Sequence, residues 1–318
     1  MKHVASRGRD FLLSCSFHFD ASTSTLIITH ITHTHSLLLR TLVRMKLLIG
    51  ALVILNYPFS FSSAHRFFNN HKTLVNMSSE GPKQKKWFPL ESNPELLNKY
   101  ISKLGFDTSL YSFTDVFSTE EWALGMIPPG TAAVVFLYPL TNVQEDFRAK
   151  EKDELETQEV DAAVWHIKQR IGNACGTIGI LHALANVPEP LKVATIPADS
   201  WLGKFYESCP SQLSSVAKAD ILEGDTEIAS KHDAATSDEQ NQTNRGALDD
   251  QLITHFVAIV NVNGKLYELD GRKVKPVNHG DTTQESFLKD CANVVQKFMD
   301  RDPTEMRFTI LALAPTQF

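Results

Sequence analysis

Hydrophobic residues at Leu96, Leu97, Tyr100, Ile101 and Leu104 recur at intervals of three and four, which predicts a helix with one apolar face. Asn93 is placed to cap it, Pro94 suits the first helical position, and Gly105 stops it. After the turn Pro128-Pro129-Gly130, residues 132–139 read as a strand buried on both faces. Residues 147–159 are charged and are expected to form a solvated helix or connector. Between 174 and 185 almost every position is apolar or small with no strand-like alternation, so this stretch predicts a helix buried on most sides. Gly176, Gly179 and Ala183 would let other backbones approach it closely. Helices alternating with buried strands indicate an α/β or α+β core.

The sharpest pattern lies further on, where residues 255–262 and 265–270 flank Asn263-Gly264. Asn-Gly is the preferred two-residue type I′ loop, and it fixes the register of the hairpin. Paired residue numbers sum to 527, so Val257 faces Asp270 and His255 faces Arg272. His255 and Asp270 then share one face as diagonal neighbours, roughly 7–8 Å apart at the backbone and within reach of two polar side chains.

This face and the buried helix supply complementary chemistry. Cys175 falls in the first turn of the helix, with Asn173 expected as its N-cap. The unsatisfied N–H groups and positive dipole end there favour thiolate over thiol. Gln169, six positions upstream, is near enough for its amide to join the Cys175 N–H in an oxyanion hole, and papain-like thiol proteases space a Gln and a Cys in the same way. His255 would take the thiol proton and later protonate a leaving amine, while Asp270 fixes the imidazole tautomer. The plainer alternatives are an inert core thiol and a core hairpin with an incidental His. Of the rival histidines, His182 is seven residues of rise from Cys175, about 10 Å and too far for proton transfer. His279 is expected in a turn after the hairpin.

Composition narrows the setting. The 318 residues carry a net charge of −6 with ordinary apolar and charged fractions, so a soluble globular protein is expected, and no basic excess points to nucleic acid. Cys15, Cys175, Cys209 and Cys291 are scattered, which fits neither a CxxC metal site nor a disulfide framework and favours a reducing compartment. Residues 1–76 differ from the rest: Ser, Thr, His and Leu dominate, and no amphipathic period persists. Residues 45–64 have the three parts of a secretory signal peptide, with an apolar run too short to span a bilayer. Met77-Ser78-Ser79-Glu80-Gly81, however, reads as an ordinary cytosolic start, so residues 1–76 are expected to be upstream or disordered sequence and residues 77–318 the domain. The cluster His30, His33 and His35 reads as chance composition rather than a metal site.

Gln169, Asn173-Ala174-Cys175-Gly176-Thr177-Ile178-Gly179, His255-Phe256, Leu266-Tyr267-Glu268-Leu269-Asp270-Gly271-Arg272 and the opening Trp87-Phe88-Pro89-Leu90-Glu91 together resemble the ubiquitin C-terminal hydrolase family, in its short single-domain branch. The likeness spans about residues 85–314; Gly172 stands where many relatives carry Ser. It implies a papain-like cysteine hydrolase with helices flanking a central antiparallel sheet and a knotted backbone. It also implies catalytic roles for Gln169, Cys175, His255 and Asp270, and ubiquitin contacts at Leu90, Glu91, Glu95 and Asp115. The last three suit ubiquitin's arginine-bearing tail.

Cys209-Pro210-Ser211 is expected to cap a short helix ending near Leu222, and residues 223–250, low in apolar residues, to form a mobile solvated loop. In the resembling family this segment crosses the active site and limits what passes. The resemblance implies ubiquitin adducts as substrates, with Nedd8 as an alternative modifier; no cofactor or metal, no nucleic-acid or membrane partner, a monomer, and a cytoplasmic or nuclear location are expected, with secretion the alternative that residues 45–64 raise. A ubiquitin-binding module with vestigial catalytic residues and a Cys-His-Asp acyltransferase are the competing readings.

Overall fold

The computed structural model describes residues 18–20, 25–27, 85–239, 241, 248 and 252–317. The chain divides into two compact units, Met1–Ser79 and Glu80–Phe318. In the first, strands β1 (His18–Asp20) and β2 (Thr25–Ile27) pair antiparallel. The signal-like segment, the His30/His33/His35 cluster and the start at Met77 lie outside the described residues.

The second unit is built on a six-stranded antiparallel sheet. Its strands are β3 (Tyr111–Asp115), β4 (Ala133–Pro139), β5 (Thr254–Val262), β6 (Lys265–Leu269), β7 (Val277–Asp281) and β8 (Thr309–Pro315), in the order β3-β8-β4-β5-β6-β7. The central strands β4 and β5 are buried on both faces, as residues 132–139 predict. Ala133, Val135, Phe256 and Ala258 join a core that includes helices α1 (Pro94–Leu104) and α5 (Cys175–Ala185). Val134, Phe136, Val257 and Ile259 join a second core against α10 (Phe287–Arg301), whose Phe287, Val294, Val295 and Phe298 are buried. The sheet is thus the middle of three layers.

Helix α1 follows its sequence closely. Asn93 accepts hydrogen bonds from the N–H groups of Glu95 and Leu96, Pro94 opens the helix, and Gly105 closes it at φ 100°. The five apolar positions are buried, each contributing about 1.5–3 kcal/mol relative to exposure. The charged stretch forms α3 (Asn142–Lys150) and α4 (Lys152–Thr157), which follow the four-residue α2 (Glu121–Leu124).

Three expectations are corrected here. The helix before the expected loop, α8 (Ser215–Gly224), is capped by Ser214, whose hydroxyl accepts from Ala217 N–H, and not by the Cys209-Pro210-Ser211 turn. It follows α6 (Glu189–Thr195) and α7 (Trp201–Ser208). The stretch read as loop from 223 begins with another helix, α9 (Thr226–Thr236), capped by Asp225 and packed on α1 through buried Ile228, His232 and Ala235. A few well-placed apolar side chains suffice to dock a helix whose average composition is polar. His279 lies within β7, paired to β6, rather than in a turn. Among the described residues no helix is long and apolar enough to cross a membrane.

Candidate active site

Cys175 is the first residue of α5 and is 5% exposed. The helix is not capped by Asn173 as its sequence suggests: the cap position is Ala174, with no side-chain hydrogen bond. Asn173 instead takes the left-handed conformation at φ 61°, which asparagine tolerates, and turns its amide to the Leu248 carbonyl at 3.4 Å. No side-chain oxygen therefore competes with the sulfur for the N–H groups at the helix start. Gly176 and Phe256 donate their backbone N–H groups to the thiol, and His255 is hydrogen-bonded to it as well. Burial pushes the Cys175 pKa up, but the bonds to His255, Phe256 and Gly176 and the charge of His255 outweigh it, and the net shift is downward.

The hairpin carries the other two groups in the register that its loop dictates. Asn263 and Gly264 both have positive φ, 53° and 77°, as a type I′ turn requires, and Ala258 pairs with Leu269 and Val262 with Lys265. His255, near the start of β5, donates from Nε2 to Asp270 Oδ1 at 2.7 Å, which leaves Nδ1 to serve Cys175. The Tyr138 ring stands edge-on to the imidazole at 5.8 Å and 88°. Burial alone would lower the His255 pKa, but the Asp270 charge and hydrogen bond, with Cys175, raise it to about 9. For Asp270, burial is overcome by the His255 charge and hydrogen bond, and its carboxyl is held far below the usual range. Oδ1 of Asp270 also accepts the Arg272 N–H at 2.7 Å.

Gln169 is held beside the Asp270 turn by its own N–H, which donates to the Gly271 carbonyl at 2.9 Å. The approach is close enough that a Cβ on Gly271 would lie 2.8 Å from Gln169 Cβ and 2.9 Å from its nitrogen, so glycine is required there. The Gln169 amide donates weakly to the Ile171 carbonyl at 3.3 Å, and its Oε1 is buried with no partner among the described residues.

The four residues expected to carry chemistry are thus brought together. Leu90 lies against the first turn of α5, its Cβ 3.1 Å from where a Cβ on Gly176 would stand. Glu91 donates its N–H to Asn241 Oδ1 at 3.0 Å. Glu95 and Asp115 are not part of this cluster. Glu95 is exposed in the first turn of α1 and lies 3.4 Å from Lys99, while Asp115 ends β3, three strands and about 14 Å across the sheet from β5. Partial burial raises the Asp115 pKa. His182 Nε2 is occupied by the Ile167 backbone at 3.1 Å, and the ring stacks on His166.

Sequence reasoning missed the backbone donors of Phe256 and Arg272, which no side-chain pattern encodes, and the edge contact of Tyr138, which sits opposite His255 in the β4–β5 ladder. The other buried thiols behave oppositely to Cys175: burial raises the pKa of Cys209 and pushes that of Cys291 well up. Among the described residues no three or more His, Cys, Asp or Glu side chains group to hold a metal ion.

A family model described as ubiquitin carboxyl-terminal hydrolase, family 1, matches residues 87–300. The chain belongs to that family. This hydrolase is a cysteine-type deubiquitinase by class, and its similarity to curated relatives runs over nearly their whole length. It is 40% identical over 225 residues to ubiquitin carboxyl-terminal hydrolase isozyme L1 of Homo sapiens, covering 71% of this chain and 96% of that one. It is 41% identical over 234 residues to a ubiquitin carboxyl-terminal hydrolase of Drosophila melanogaster, covering 73% and 98%. Its fold is similar to the UCH37 catalytic domain of Trichinella spiralis, solved bound to ubiquitin vinyl methyl ester, with a TM-score of 0.57 and 20% identity over 73% of this chain and 96% of that domain. The hydrolase thus has the papain-like arrangement of helices around an antiparallel sheet.

Proposed function

We propose that this hydrolase cleaves amide, ester or thioester bonds that follow the C-terminal glycine of ubiquitin, through an acyl-enzyme on Cys175. The reading is carried by one observation: a thiol with lowered pKa, hydrogen-bonded to an imidazole raised to about 9, which is in turn bonded to a buried carboxylate. Within such a pair the proton of the thiol passes to His255, which supplies the attacking thiolate. The sulfur attacks the glycine carbonyl, and the negative charge moves to oxygen. Gln169 Nε2, released from its weak bond to Ile171, and the Cys175 N–H, which has no partner within the helix, donate to that oxygen. Collapse of the intermediate breaks the bond to the leaving amine, which takes the His255 proton and leaves a thioester. His255, now neutral, removes a proton from water, hydroxide attacks the thioester, and thiolate and ubiquitin carboxylate are released. Asp270 holds the ring so that one nitrogen always faces the sulfur.

Ubiquitin as substrate is supported by the names of the 40%-identical relatives and by the ubiquitin-derived ligand of the Trichinella domain. Leu90 at the nucleophile's helix suits the glycine-ended tail, and Glu91, Glu95 and Asp115 offer carboxylates to its arginines. The test is labelling by ubiquitin with an electrophilic C-terminus. Labelling of the wild type but not of Cys175→Ser supports the hydrolase. Binding without labelling supports a vestigial module, a requirement for acetyl donors supports an acyltransferase, and a stronger reaction with a Nedd8 probe redirects the substrate.

A further inference from the structure

The segment that ends in Gln169 and the turn that carries Asp270 are bonded to each other at four consecutive carbonyls. His166 Nε2 donates to the Asp270 carbonyl at 3.1 Å, and the Gln169 N–H donates to that of Gly271 at 2.9 Å. Lys168 Nζ donates to those of Arg272 at 3.1 Å and Lys273 at 2.5 Å. Lys168 accounts for two of the four, and it does so from the position immediately before Gln169. Its own N–H is fixed to the Ser215 carbonyl at 3.0 Å, so the ammonium reaches across from an anchored backbone. Partial burial of Lys168 is accompanied by a favourable interaction with the Asp270 charge.

We infer that Lys168 is a positioning residue, holding the oxyanion donor Gln169 and the acid Asp270 at a fixed separation through the backbone of the 270–273 turn. The inference rests on the Cys175–His255–Asp270 reading above. Residues 271–273 contain a glycine and no ladder pairing with β5, so their carbonyls need partners from outside the sheet. Without the ammonium the turn is free to shift, and Asp270 Oδ1 then moves relative to His255 Nε2. Misplacement of a catalytic group by about 1 Å can cost up to about 10²-fold in rate. The same shift weakens the interaction that raises the His255 pKa and, through His255, the one that lowers the thiol pKa. Loss of Lys168 should therefore narrow the pH–rate profile as well as lower it, which a loss of stability alone would not do.

The test compares hydrolysis of ubiquitin carrying a C-terminal fluorophore amide by the full chain and three variants, across pH. Lys168→Met keeps the length of the stem and removes the donors; Lys168→Arg keeps charge and donors. Lys218→Met is the control, because buried Lys218 caps the Ser211 and Leu213 carbonyls in the same manner and its ammonium bonds to neither the Arg272 nor the Lys273 carbonyl. The expected result for Lys168→Met is a fall in kcat of about ten- to hundredfold, with KM within about twofold and the two limbs of the kcat/KM profile drawn together by about half a pH unit. Lys168→Arg should recover most of the rate, and Lys218→Met should lower Tm while leaving kcat and both limbs in place. Wild-type kcat in Lys168→Met, or a loss matched by its unfolded fraction with unmoved limbs, overturns the inference. If Lys168→Met does not fold, Lys168→Gln is measured in its place, and wild-type limbs in that variant, or its failure to fold, equally overturn it. Absence of turnover by the wild type would sink the hydrolase reading itself, so the two failures are distinct.

Discussion

His255 Nε2 and Asp270 Oδ1 meet at 2.7 Å although the two residues are diagonal, not opposite, across the β5–β6 hairpin. The two-residue Asn263-Gly264 loop sets that diagonal, and everything charged at the site depends on it. Asp270→Asn keeps the shape but removes the charge that raises the imidazole pKa. We expect kcat to fall by about 10²- to 10⁴-fold, as loss of tautomer control does in related triads. The alkaline limb should move down from near pH 9, and a pH–rate profile with an unmoved limb would show that Asp270 does not set the His255 pKa.

The wild-type profile of kcat/KM should be a broad bell. Its acidic limb reports the thiol, lowered from its ordinary value, and its alkaline limb lies near the His255 value of about 9. His255→Ala should abolish turnover while ubiquitin affinity, measured by calorimetry, stays within a few-fold. A large loss of affinity would instead make His255 a contact residue.

Gln169→Ala tests the oxyanion assignment and should lower kcat by about 10²-fold or more, with KM little changed. Gly271→Ala is a companion: its methyl would fall 2.9 Å from Gln169 N and Ile178 Cγ2, forcing backbone apart just where Gln169 is bonded to the turn. Equal activity in both variants and the wild type would remove Gln169 from the mechanism.

Acid stability depends on the stacked, buried pair His166 and His182, whose rings lie 4.9 Å apart. Burial lowers the His166 pKa to about 4 and that of His182 well below its usual value. The unfolded chain titrates its histidines near 6.5, so between about pH 6.5 and 4 it binds more protons than the folded one, and stability falls as pH falls. Denaturant unfolding at pH 7 and pH 5 should differ by about 2 kcal/mol from His166 alone. His166→Gln should flatten that difference, and an equally steep dependence in the variant would assign the effect elsewhere.

The hairpin, α1 and the buried strand β4 were legible in the sequence because each is fixed by neighbours in the chain: a turn dipeptide, a cap with its stop, an unbroken apolar run. So was the grouping of Cys175, Gln169, His255 and Asp270, since the loop register puts His255 and Asp270 on one face and the helix start puts Cys175 within reach of Gln169. What escaped was set by tertiary contact. Asp225 caps α9 and also accepts from the Trp201 indole, fixing a helix that composition would leave as loop. Asn173 looks like a cap but is consumed by a left-handed turn, and the carbonyl caps of His166 and Lys168 join segments about a hundred residues apart.

The two ends of residues 241–248 carry the last prediction. Asn241 Oδ1 accepts the Glu91 N–H at 3.0 Å, and the Leu248 carbonyl accepts from Asn173 at 3.4 Å, so both ends of residues 241–248 are tied beside the nucleophile, on the Glu91 side and on the Asn173 side. Seven residue steps reach at most about 25 Å when fully extended, less than the roughly 30 Å width of a small folded domain. If leaving groups must pass beneath such a span, a flexible peptide, ester or fluorophore is expected to pass and a folded adduct is not. Inserting neutral residues between 241 and 248 should therefore speed release of folded adducts while leaving small ones barely changed. Each doubling of loop length costs only about 0.6 kcal/mol, so the domain should tolerate the insertions. Hydrolysis rates of small and folded ubiquitin adducts, measured across a series of insertion lengths, check this. A size preference that does not change with length, in variants that remain folded, would place the limit outside this segment.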